Sequence, residues 1–348
     1  MTDQINRQWT YARPIEGALQ TDHFAYREVP IPHLRQGQAL IRTRLISIDP
    51  ANRLYFAMQS YRPQVQLGDV MAGFGIGEVV ASTDPRFRVG DLWHGDFGWQ
   101  DYAVLNSYDR SEFIYRCTPG ESPEDLLGVY GITGMTAWFG VEQVGDLQPG
   151  QTVVVAGASG ACGILIAQLA KLAGCRVIGI AGGPANCARL ETEFGLDATV
   201  DYRARDMAAQ LAKACPGGVD FFSDGVGGEV SRTVLPLLKP GAGWYHPGNL
   251  SDYDHIIPGK PIPRNDAFLT PELRALCKER RLRPAFLLVF DHYCRRAEAE
   301  AILRDHLRAG RLQAPTTTLE GFANLPRALV EGAFGQVRTK FGKLNLRP

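Results

Sequence analysis

The chain has 348 residues, of which 45% are hydrophobic and 21% are charged, as in ordinary globular proteins. This length exceeds the usual size of one hydrophobic core and therefore predicts two domains. Its 37 basic and 37 acidic residues balance and its basic residues are scattered, so we expect neither nucleic acid nor an anionic membrane as a partner.

The N-terminal segment and the cysteines indicate the compartment. Residues 1–14 contain no apolar run typical of a secretory signal, and no unbroken apolar stretch reaches membrane-spanning length. The seven cysteines show no repeated short spacing, which favours free thiols in a reducing cytoplasm. No Cys-x2-Cys, His-x3-His or His-Glu-x2-His pattern is present, so we expect no metal site.

Short extended segments are predicted between about residues 26 and 110. Residues 38–48 alternate roughly between apolar and polar, as a half-buried strand does. Residues 70–81 are rich in glycine and β-branched side chains, and residues 89–94 predict a turn followed by a strand. We expect Trp93–Asp96 to form a further turn in which His94 has a structural role. This region therefore predicts a β domain.

Helices and strands alternate from about residue 123 onward. Ser122 precedes a proline and two acids, the arrangement of a helix N-cap followed by its first turn. The predicted strands are 152–156, 176–181, 199–200, 219–223 and 285–290, and the predicted helices are 162–173, 185–194, 206–214 and 295–309. Such alternation with short connections predicts a parallel doubly wound sheet. A tail of strand, helix and strand follows.

The central motif is Gly157-Ala-Ser-Gly160-Ala-Cys-Gly163, hereafter the glycine turn. Because 38 of the 348 residues are glycine, the motif has weight only through its position between an apolar strand and an apolar helix. Glycines allow a tight turn and a close approach to a pyrophosphate, which rests on the helix N–H groups. The motif therefore predicts a bound nicotinamide dinucleotide.

The end of the second strand favours NADP over NAD. Dinucleotide folds that select NAD carry an acid there, bonded to the ribose 2′-hydroxyl. In this chain the strand ends in Gly182-Gly183-Pro184, without an acid to repel a 2′-phosphate. Three cations follow it closely in the sequence: Arg189, Arg203 and Arg205.

Further motifs occur in order along nearly the whole chain. They are Ser47–Pro50 with Arg53, Gln66–Gly73 with Gly75 and Gly77, Tyr130–Gly140, Gly160–Gly163, Asp201-Tyr202, Gly225–Glu229, Gly248–Tyr253 and Phe341–Lys343. Their order and spacing resemble the medium-chain dehydrogenase/reductase superfamily, in its zinc-free branch of prostaglandin and leukotriene reductases. That branch includes alkenal, curcumin and double-bond reductases.

The resemblance implies an α/β protein with two domains and an active site in the cleft between them. A GroES-like β domain would span residues 1–125 and be completed by residues 311–348. A Rossmann domain with a doubly wound parallel sheet would span residues 126–310. Zinc-dependent relatives carry a catalytic Cys and a Gly-His-Glu motif where this chain has Ile48–Pro50 and Gly73–Gly75. A homodimer, typically formed through Rossmann-domain edges, is also implied.

The resemblance also implies which residues contact NADP. Tyr202 would pack at the adenosine phosphate end, and Gly248 to Tyr253 would border the nicotinamide. Three positions depart from the family: Asn186 replaces a lysine at the 2′-phosphate, Gly225 replaces an asparagine, and Lys340 replaces a C-terminal asparagine. The expected cofactor contacts are Gly157, Gly160, Ala161, Cys162, Gly163, Gly182, Gly183, Asn186, Arg189, Tyr202, Gly225, Val226, Gly248, Tyr253, Leu287, Leu288, Val289 and Lys340.

The implied reaction is NADPH-dependent hydride transfer to the β-carbon of an α,β-unsaturated ketone or aldehyde. Negative charge then develops on the carbonyl oxygen as an enolate, and the resemblance implies that the Tyr253 phenol donates a hydrogen bond to that oxygen. Ala51 and Asn52 replace the family's aromatic residue after Asp-Pro, which widens or polarises the pocket. The expected substrate contacts are Ala51, Asn52, Tyr55 and Tyr61.

Two other functions remain open at this point. A zinc-independent alcohol dehydrogenase or carbonyl reductase would act on a C–O bond. It would need another electrophile for the developing alkoxide, and no Tyr-x3-Lys pair is present. A catalytically silent NADP-binding protein would keep the cofactor without turnover, and the changes at Asn186, Gly225 and Lys340 are compatible with it.

Overall fold

The computed structural model describes residues 5–56, 62–108, 113–248, 250–255, 269–334 and 341–348. The β-strands are β1 (Ile5–Tyr11), β2 (Phe24–Pro30), β3 (Gln38–Ser47), β4 (Phe74–Ser82), β5 (Leu92–Asp96), β6 (Tyr102–Asn106), β7 (Tyr115–Arg116), β8 (Thr152–Ala156), β9 (Arg176–Ala181), β10 (Ala198–Asp201), β11 (Val219–Asp224), β12 (Leu238–Tyr245), β13 (Arg283–Ala285), β14 (Thr316–Glu320) and β15 (Lys343–Arg347).

The α-helices are α1 (Pro123–Leu127), α2 (Ile132–Gly140), α3 (Ala161–Leu172), α4 (Pro184–Thr192), α5 (Met207–Ala214), α6 (Gly228–Val234), α7 (Pro271–Glu279), α8 (Arg296–Arg308) and α9 (Leu325–Arg327). Two 3-10 helical turns, Pro50–Phe56 and Leu250–His255, bear on the site described below.

Strands β1 and β2 pair antiparallel in a small sheet of their own. The first large sheet contains β3 to β7 from the N-terminal region and β14 and β15 from the C-terminal tail. Its order is β14-β15-β3-β4-β5-β7, and β6 also pairs with β3. Alternation along β3 buries Ala39, Ile41 and Leu45 completely, as predicted for a half-buried strand. The tail joins because β15 runs antiparallel to β3, with Asn345 opposite Ser47.

The second sheet has six parallel strands in the order β10-β9-β8-β11-β12-β13. Numbered within this sheet, the order is 3-2-1-4-5-6, which is the Rossmann arrangement. Val153, Val154 and Val155 of β8 are completely buried, because helices cover both faces of a parallel sheet. The predicted two-domain α/β fold, a GroES-like β domain plus a Rossmann domain, is confirmed. Ligands of such sheets bind beyond the carboxyl ends of the strands, where the order reverses between β8 and β11.

The helix boundaries follow local signals in the sequence. The Ser122 hydroxyl accepts a hydrogen bond from the Asp125 backbone amide at 3.0 Å, and Pro123 begins α1 as predicted. Helix α3 is apolar on most of its surface because it packs against β8 and β9 on one side and against α2 and β15 on the other. It therefore joins the two sheets directly.

Two predictions about local structure were wrong. The strand predicted at 285–290 is only the short β13, which ends at Ala285. A strand requires a paired neighbour, and the partner strand β12 ends at Tyr245. The last hydrogen bond between the two strands runs from the His246 amide to the Ala285 carbonyl, at 2.9 Å. His94 lies in the middle of β5 rather than in a turn, since β5 pairs with β4 on one side and with β7 on the other.

Within the described ranges, no helix is long and apolar enough to cross a membrane. In the same part of the chain, no three His, Cys, Asp or Glu side chains are grouped so that they could hold a metal ion. The seven cysteines are free thiols.

Candidate functional site

The glycine turn connects β8 to α3 at the carboxyl edge of the second sheet. Gly157 has a φ of +66°, which glycine adopts without strain. Gly160 is the extended N-cap of α3, and no side chain caps this helix. A Cβ at Gly160 would meet only the Gly157 carbonyl oxygen, at 3.1 Å. The space in front of the uncapped helix amides is therefore open, which fits the pyrophosphate of a dinucleotide.

The third glycine has a different role. A Cβ at Gly163 would lie 2.3 Å from the Gly157 oxygen and 3.0 Å from the Ala158 Cα. Glycine is therefore needed here for close packing of helix against strand. Ala161 and Cys162, between these glycines, are half-buried, and desolvation raises the pKa of the Cys162 thiol to about 12. Cys162 is thus a neutral packing residue at physiological pH.

The C-terminal segment supports the glycine turn from outside. The Gly342 amide donates a hydrogen bond to the Ser159 carbonyl at 2.9 Å, and Gly342 forms a parallel bridge with Gly160. A Cβ at Gly342 would lie 1.9 Å from the Pro315 carbonyl oxygen, so only glycine fits. Lys343, the next residue, is buried and donates hydrogen bonds to Ser47 and Asp49. This short segment joins the glycine turn to β3 of the first sheet and to Asp49.

The expected adenosine end lies where β9 ends. A Cβ at Gly182 would lie 2.8 Å from Cε1 of Tyr202, so glycine allows the half-exposed Tyr202 ring to rest on the strand end. One oxygen of Asp201 accepts hydrogen bonds from the amides of Gly183 and Arg203, at 2.9 and 3.0 Å. This carboxylate, which the sequence motif contained but did not explain, holds the β10 loop against the end of β9.

The two polar side chains expected on α4 at the 2′-phosphate have other partners. The Asn186 amide donates to the Gly182 carbonyl at 3.1 Å. Arg189 donates two hydrogen bonds to Glu193, both of 2.9 Å, and its guanidinium lies 4.0 Å from the centre of the Phe341 ring. Arg203 instead lies beside Gly182 and Gly183.

The loop after β11 borders the glycine turn on its other side. A Cγ of Val226 lies 3.4 Å from the Cβ position of Gly157, and a Cβ at Gly225 would contact only Pro247 and the Ala156 oxygen. Asp224, completely buried, accepts hydrogen bonds from the Gly227 amide at 2.8 Å and from the Ser231 hydroxyl. Asp224 was not among the expected site residues, although a buried acid at a strand end, directly before a glycine motif, is a usable signal.

Tyr253 lies on the turn Leu250–His255, which is anchored to this loop. The Ser251 amide donates to the Val226 carbonyl at 2.9 Å. The Tyr253 hydroxyl lies 3.0 Å from the Cβ position of Gly248, so a side chain at 248 would displace the phenol. The turn also packs against Pro50–Phe56 of the first domain. The structure therefore brings together the expected Tyr253 phenol, the loop at Val226 and the turn Pro50–Phe56.

The residues expected to contact the substrate are more buried than the sequence indicated. The Asn52 side chain accepts from the Asp49 amide at 2.8 Å and donates to the Ala72 carbonyl at 3.2 Å, so it shapes the turn. Tyr55 is buried with the Arg62 guanidinium 5.0 Å from its ring centre, and Ala51 is half-buried. Tyr61 and Lys340 lie outside the described residues.

Aromatic residues from both domains pack beside the last expected cofactor contacts. Leu287 and Leu288 are half-buried and Val289 is buried. The next residue, Phe290, lies with its ring centre 4.1 Å from that of Phe113 and 6.4 Å from that of Phe74. The family resemblance aligns Phe74 with the histidine of the Gly-His-Glu motif, and an apolar ring lies at this place.

His94 lies behind these aromatic rings and is completely buried. It stacks on Phe74 and Tyr115 with centroid distances of 5.6 and 4.7 Å. Burial lowers the pKa of His94 to about 4, so the ring is neutral, and its Nδ1 donates to the Phe113 carbonyl at 2.8 Å. Its expected structural role agrees with these contacts.

Comparisons with known proteins connect this geometry to a family. Residues 7–112 match the N-terminal domain of oxidoreductase, and residues 161–266 match a family described as zinc-binding dehydrogenase. The chain is 34% identical over 350 residues to NADPH-dependent curcumin reductase of Escherichia coli (strain K12), covering 99% of this chain and 97% of the relative. It is 29% identical over 330 residues to prostaglandin reductase 1 of Bos taurus, covering 93% and 94%.

Solved structures agree with these relatives. The crystal structure of CurA from Vibrio vulnificus matches with a TM-score of 0.88 and 34% identity over 98% of both chains. The structure of CurA in complex with NADPH matches with a TM-score of 0.88 and 33% identity over the same shares. The chain belongs to the zinc-free medium-chain dehydrogenase/reductase family, in its branch of curcumin and prostaglandin reductases.

Proposed function

We propose that this protein uses NADPH to reduce the C=C bond of an α,β-unsaturated ketone or aldehyde. The observation that carries the proposal is the meeting of three segments: the glycine turn, the loop at Val226 and the Tyr253 turn, which packs against Pro50–Phe56. The relatives support the choice of cofactor and reaction, because one is an NADPH-dependent curcumin reductase and CurA forms a complex with NADPH.

The glycine turn would bind the pyrophosphate of the cofactor. The first amides of α3 have no side-chain cap, and the positive end of the helix dipole favours an anion there. Gly160 leaves room for that anion, and Gly342 keeps the turn in place from the opposite side. NADPH, when bound, supplies the hydride for the β-carbon of the substrate.

Tyr253 would donate its phenol hydrogen to the substrate carbonyl oxygen. That oxygen gains negative charge as the enolate forms, and a preorganised donor stabilises developing charge more than it stabilises the neutral ketone. The bond from Ser251 to Val226 sets the position of the Tyr253 turn relative to the cofactor loop. Orientation of the phenol therefore depends on backbone contacts rather than on a flexible side chain alone.

The aromatic rings of Phe74, Phe113 and Phe290 would keep water from the reacting atoms. These rings contact one another across the two domains and carry no group that binds a metal. An apolar wall strengthens the hydrogen bond from the phenol and protects a hydride from solvent protons.

The test is NADPH oxidation, followed at 340 nm, with an aryl butenone and with its saturated ketone as the matched control. We expect turnover with the enone alone and a saturated ketone as the product. With NADPH deuterated at C4, the label should appear on the β-carbon. Oxidation with the saturated ketone alone would identify a C–O reductase, and NADPH binding without turnover across an enone panel would identify a silent binding protein.

We also propose that the protein is a homodimer in the cytoplasm. β13 is the edge strand of the second sheet and pairs on one side with β12, so the same strand of a second copy can continue the sheet. Light scattering after size-exclusion chromatography should give twice the chain mass of 38.2 kDa. A single-chain mass at micromolar concentration would contradict the dimer.

The proposed division of the chain into residues 1–125 with 311–348 and residues 126–310 is supported by the strands. β3 to β7, β14 and β15 form one sheet, while β8 to β13 form the other. Limited proteolysis should cut preferentially near these boundaries.

A further inference from the structure

We infer that Arg203 selects NADPH over NADH by binding the 2′-phosphate, in place of the α4 side chains at positions 186 and 189. The inference rests on NADPH being the cofactor, as in the proposed function. It concerns a residue of the loop after β10, and it deepens that function by naming the determinant of cofactor choice.

The Arg203 guanidinium lies beside the two glycines that follow β9. Its Cζ lies 3.2 Å from the Cβ position of Gly182, and an Nη lies 3.5 Å from that of Gly183. These glycines follow β9, and in Rossmann folds the end of the second strand is where the ribose 2′ position is recognised. The guanidinium therefore lies where an NAD-selective chain would carry an acid.

The loop around Arg203 is built to hold this position. The Asp201 oxygen that accepts from the Gly183 amide also accepts from the Arg203 amide, which ties the loop backbone to the end of β9. The guanidinium lies 5.4 Å from the Tyr202 ring centre, so one loop provides both a flat aromatic surface and a charge. Among the described residues, Arg203 forms no ion pair with a carboxylate.

The rival cations are less suited to the 2′-phosphate. Arg189 is held by Glu193 and by the Phe341 ring, so binding a phosphate would break two charge-assisted hydrogen bonds. Asn186 has no charge and donates to the Gly182 carbonyl. Arg205 does not come within 4 Å of the Gly183 Cβ position, whereas Arg203 does.

The experiment measures binding rather than turnover. Dissociation constants for NADPH, NADH and 2′,5′-ADP are measured by calorimetry for the wild type, Arg203→Gln, Arg203→Lys and Arg189→Gln. Lys213→Gln is the matched control, because it removes one exposed positive charge from α5 of the same domain. Thermal unfolding without ligand checks that each variant is folded.

We expect Arg203→Gln to raise the dissociation constants of NADPH and 2′,5′-ADP by about 10- to 100-fold. The dissociation constant of NADH should change by less than about threefold. Arg203→Lys should retain part of the NADPH affinity that Arg203→Gln loses, since lysine keeps the positive charge but cannot form the paired hydrogen bonds of a planar guanidinium. The NADPH preference of the wild type should also decline below about pH 6, where the 2′-phosphate gains a proton.

Three results would overturn the inference. The first is unchanged NADPH binding in Arg203→Gln. The second is an equal loss of affinity for NADH and NADPH in that variant, and the third is a selective loss of NADPH affinity in Arg189→Gln instead. An equal loss would mean that Arg203 supports the adenine rather than the phosphate. Because these measurements need no enone, a selective loss without any turnover would support the role of Arg203 while refuting the proposed reaction.

Discussion

Replacing Gly163 with alanine adds a methyl group at the point where α3 comes closest to the start of the glycine turn. Its Cβ would lie 2.3 Å from the Gly157 oxygen, 2.9 Å from the carbonyl carbon and 3.0 Å from the Ala158 Cα. All three atoms belong to the backbone, so no side chain can rotate away. The helix must move relative to β8, or the glycine turn must open.

The expected loss of stability can be estimated from this backbone clash. Overpacking in a dense core costs about 1–3 kcal/mol, and a clash with backbone belongs at the upper end of that range. Alanine recovers at most about 1 kcal/mol through its higher helix propensity, which leaves a net loss of about 2 kcal/mol. At about 2–4 °C per kcal/mol for a domain of this size, the Tm of Gly163→Ala should fall by about 4–8 °C.

Gly160→Ala is the matched control, because it changes the same motif without the same clash. Gly160 has φ −82° and ψ 168°, which alanine adopts readily, and its Cβ would make a single tight contact of 3.1 Å. We expect its Tm to stay within about 2 °C of the wild type, while NADPH binding weakens about 10-fold or more, because the methyl group enters the pyrophosphate space.

The assay combines thermal unfolding by circular dichroism with NADPH titration by fluorescence. The wild type should gain Tm with NADPH, as expected for a ligand that binds the folded state. Gly163→Ala should lose stability even without ligand, and Gly160→Ala should lose mainly the ligand-dependent gain. Equal Tm values for Gly163→Ala and the wild type, or equal destabilisation by both changes, would refute this assignment of roles to the two glycines.

Three further predictions concern the phenol of Tyr253, the buried His94, and the contact between Gly140 of α2 and Tyr245 of β12. Tyr253→Phe should lower kcat with an enone about 100-fold and leave the NADPH Kd within about threefold; an unchanged kcat in steady-state assays would remove the phenol from the reaction. The pKa of His94 is lowered to about 4, below the unfolded value of about 6.5. The unfolded chain therefore binds its proton first, and up to about 3 kcal/mol of stability is lost as pH falls from 6.5 to 4. In urea unfolding His94→Gln should show a shallower pH dependence over that window, and identical slopes would contradict this. A Cβ at Gly140 would lie 2.0 Å from the Tyr245 ring, whose hydroxyl is fixed to the Thr136 carbonyl at 2.8 Å. Gly140→Ala should therefore destabilise the protein by about 3 kcal/mol, and a Tm within about 1 °C of the wild type would show that the ring can move.

Local patterns in the sequence were sufficient for the second sheet and its glycine turn. Strands 152–156 and 176–181 were predicted at the residues where β8 and β9 are found, because continuous β-branched runs between turns are typical of strands buried on both faces. The glycine turn lies between such a strand and a helix, and this position, rather than the glycine spacing alone, indicated a dinucleotide site.

Segments whose structure depends on distant parts of the chain are harder to predict from the sequence. Leu287 to Phe290 have the composition of a strand, but the chain leaves the sheet at Ala285, since β12 offers no partner beyond Tyr245. The amide of Asn52 looked available to a substrate, whereas Asp49 and Ala72 occupy it.

The same distinction applies to the cofactor site. The sequence by itself determined the Rossmann strand pattern, the glycine turn and the missing acid at the end of the second strand, because each depends on a few consecutive residues. It offered Arg189, Arg203 and Arg205 as nearby cations and placed only Arg189 among the expected cofactor contacts. Only the tertiary structure distinguished them, because Phe341 reaches Arg189 from the far end of the chain and Asp201 holds the Arg203 loop at Gly183. Long-range packing of this kind decides which charges are already paired and which can meet a ligand.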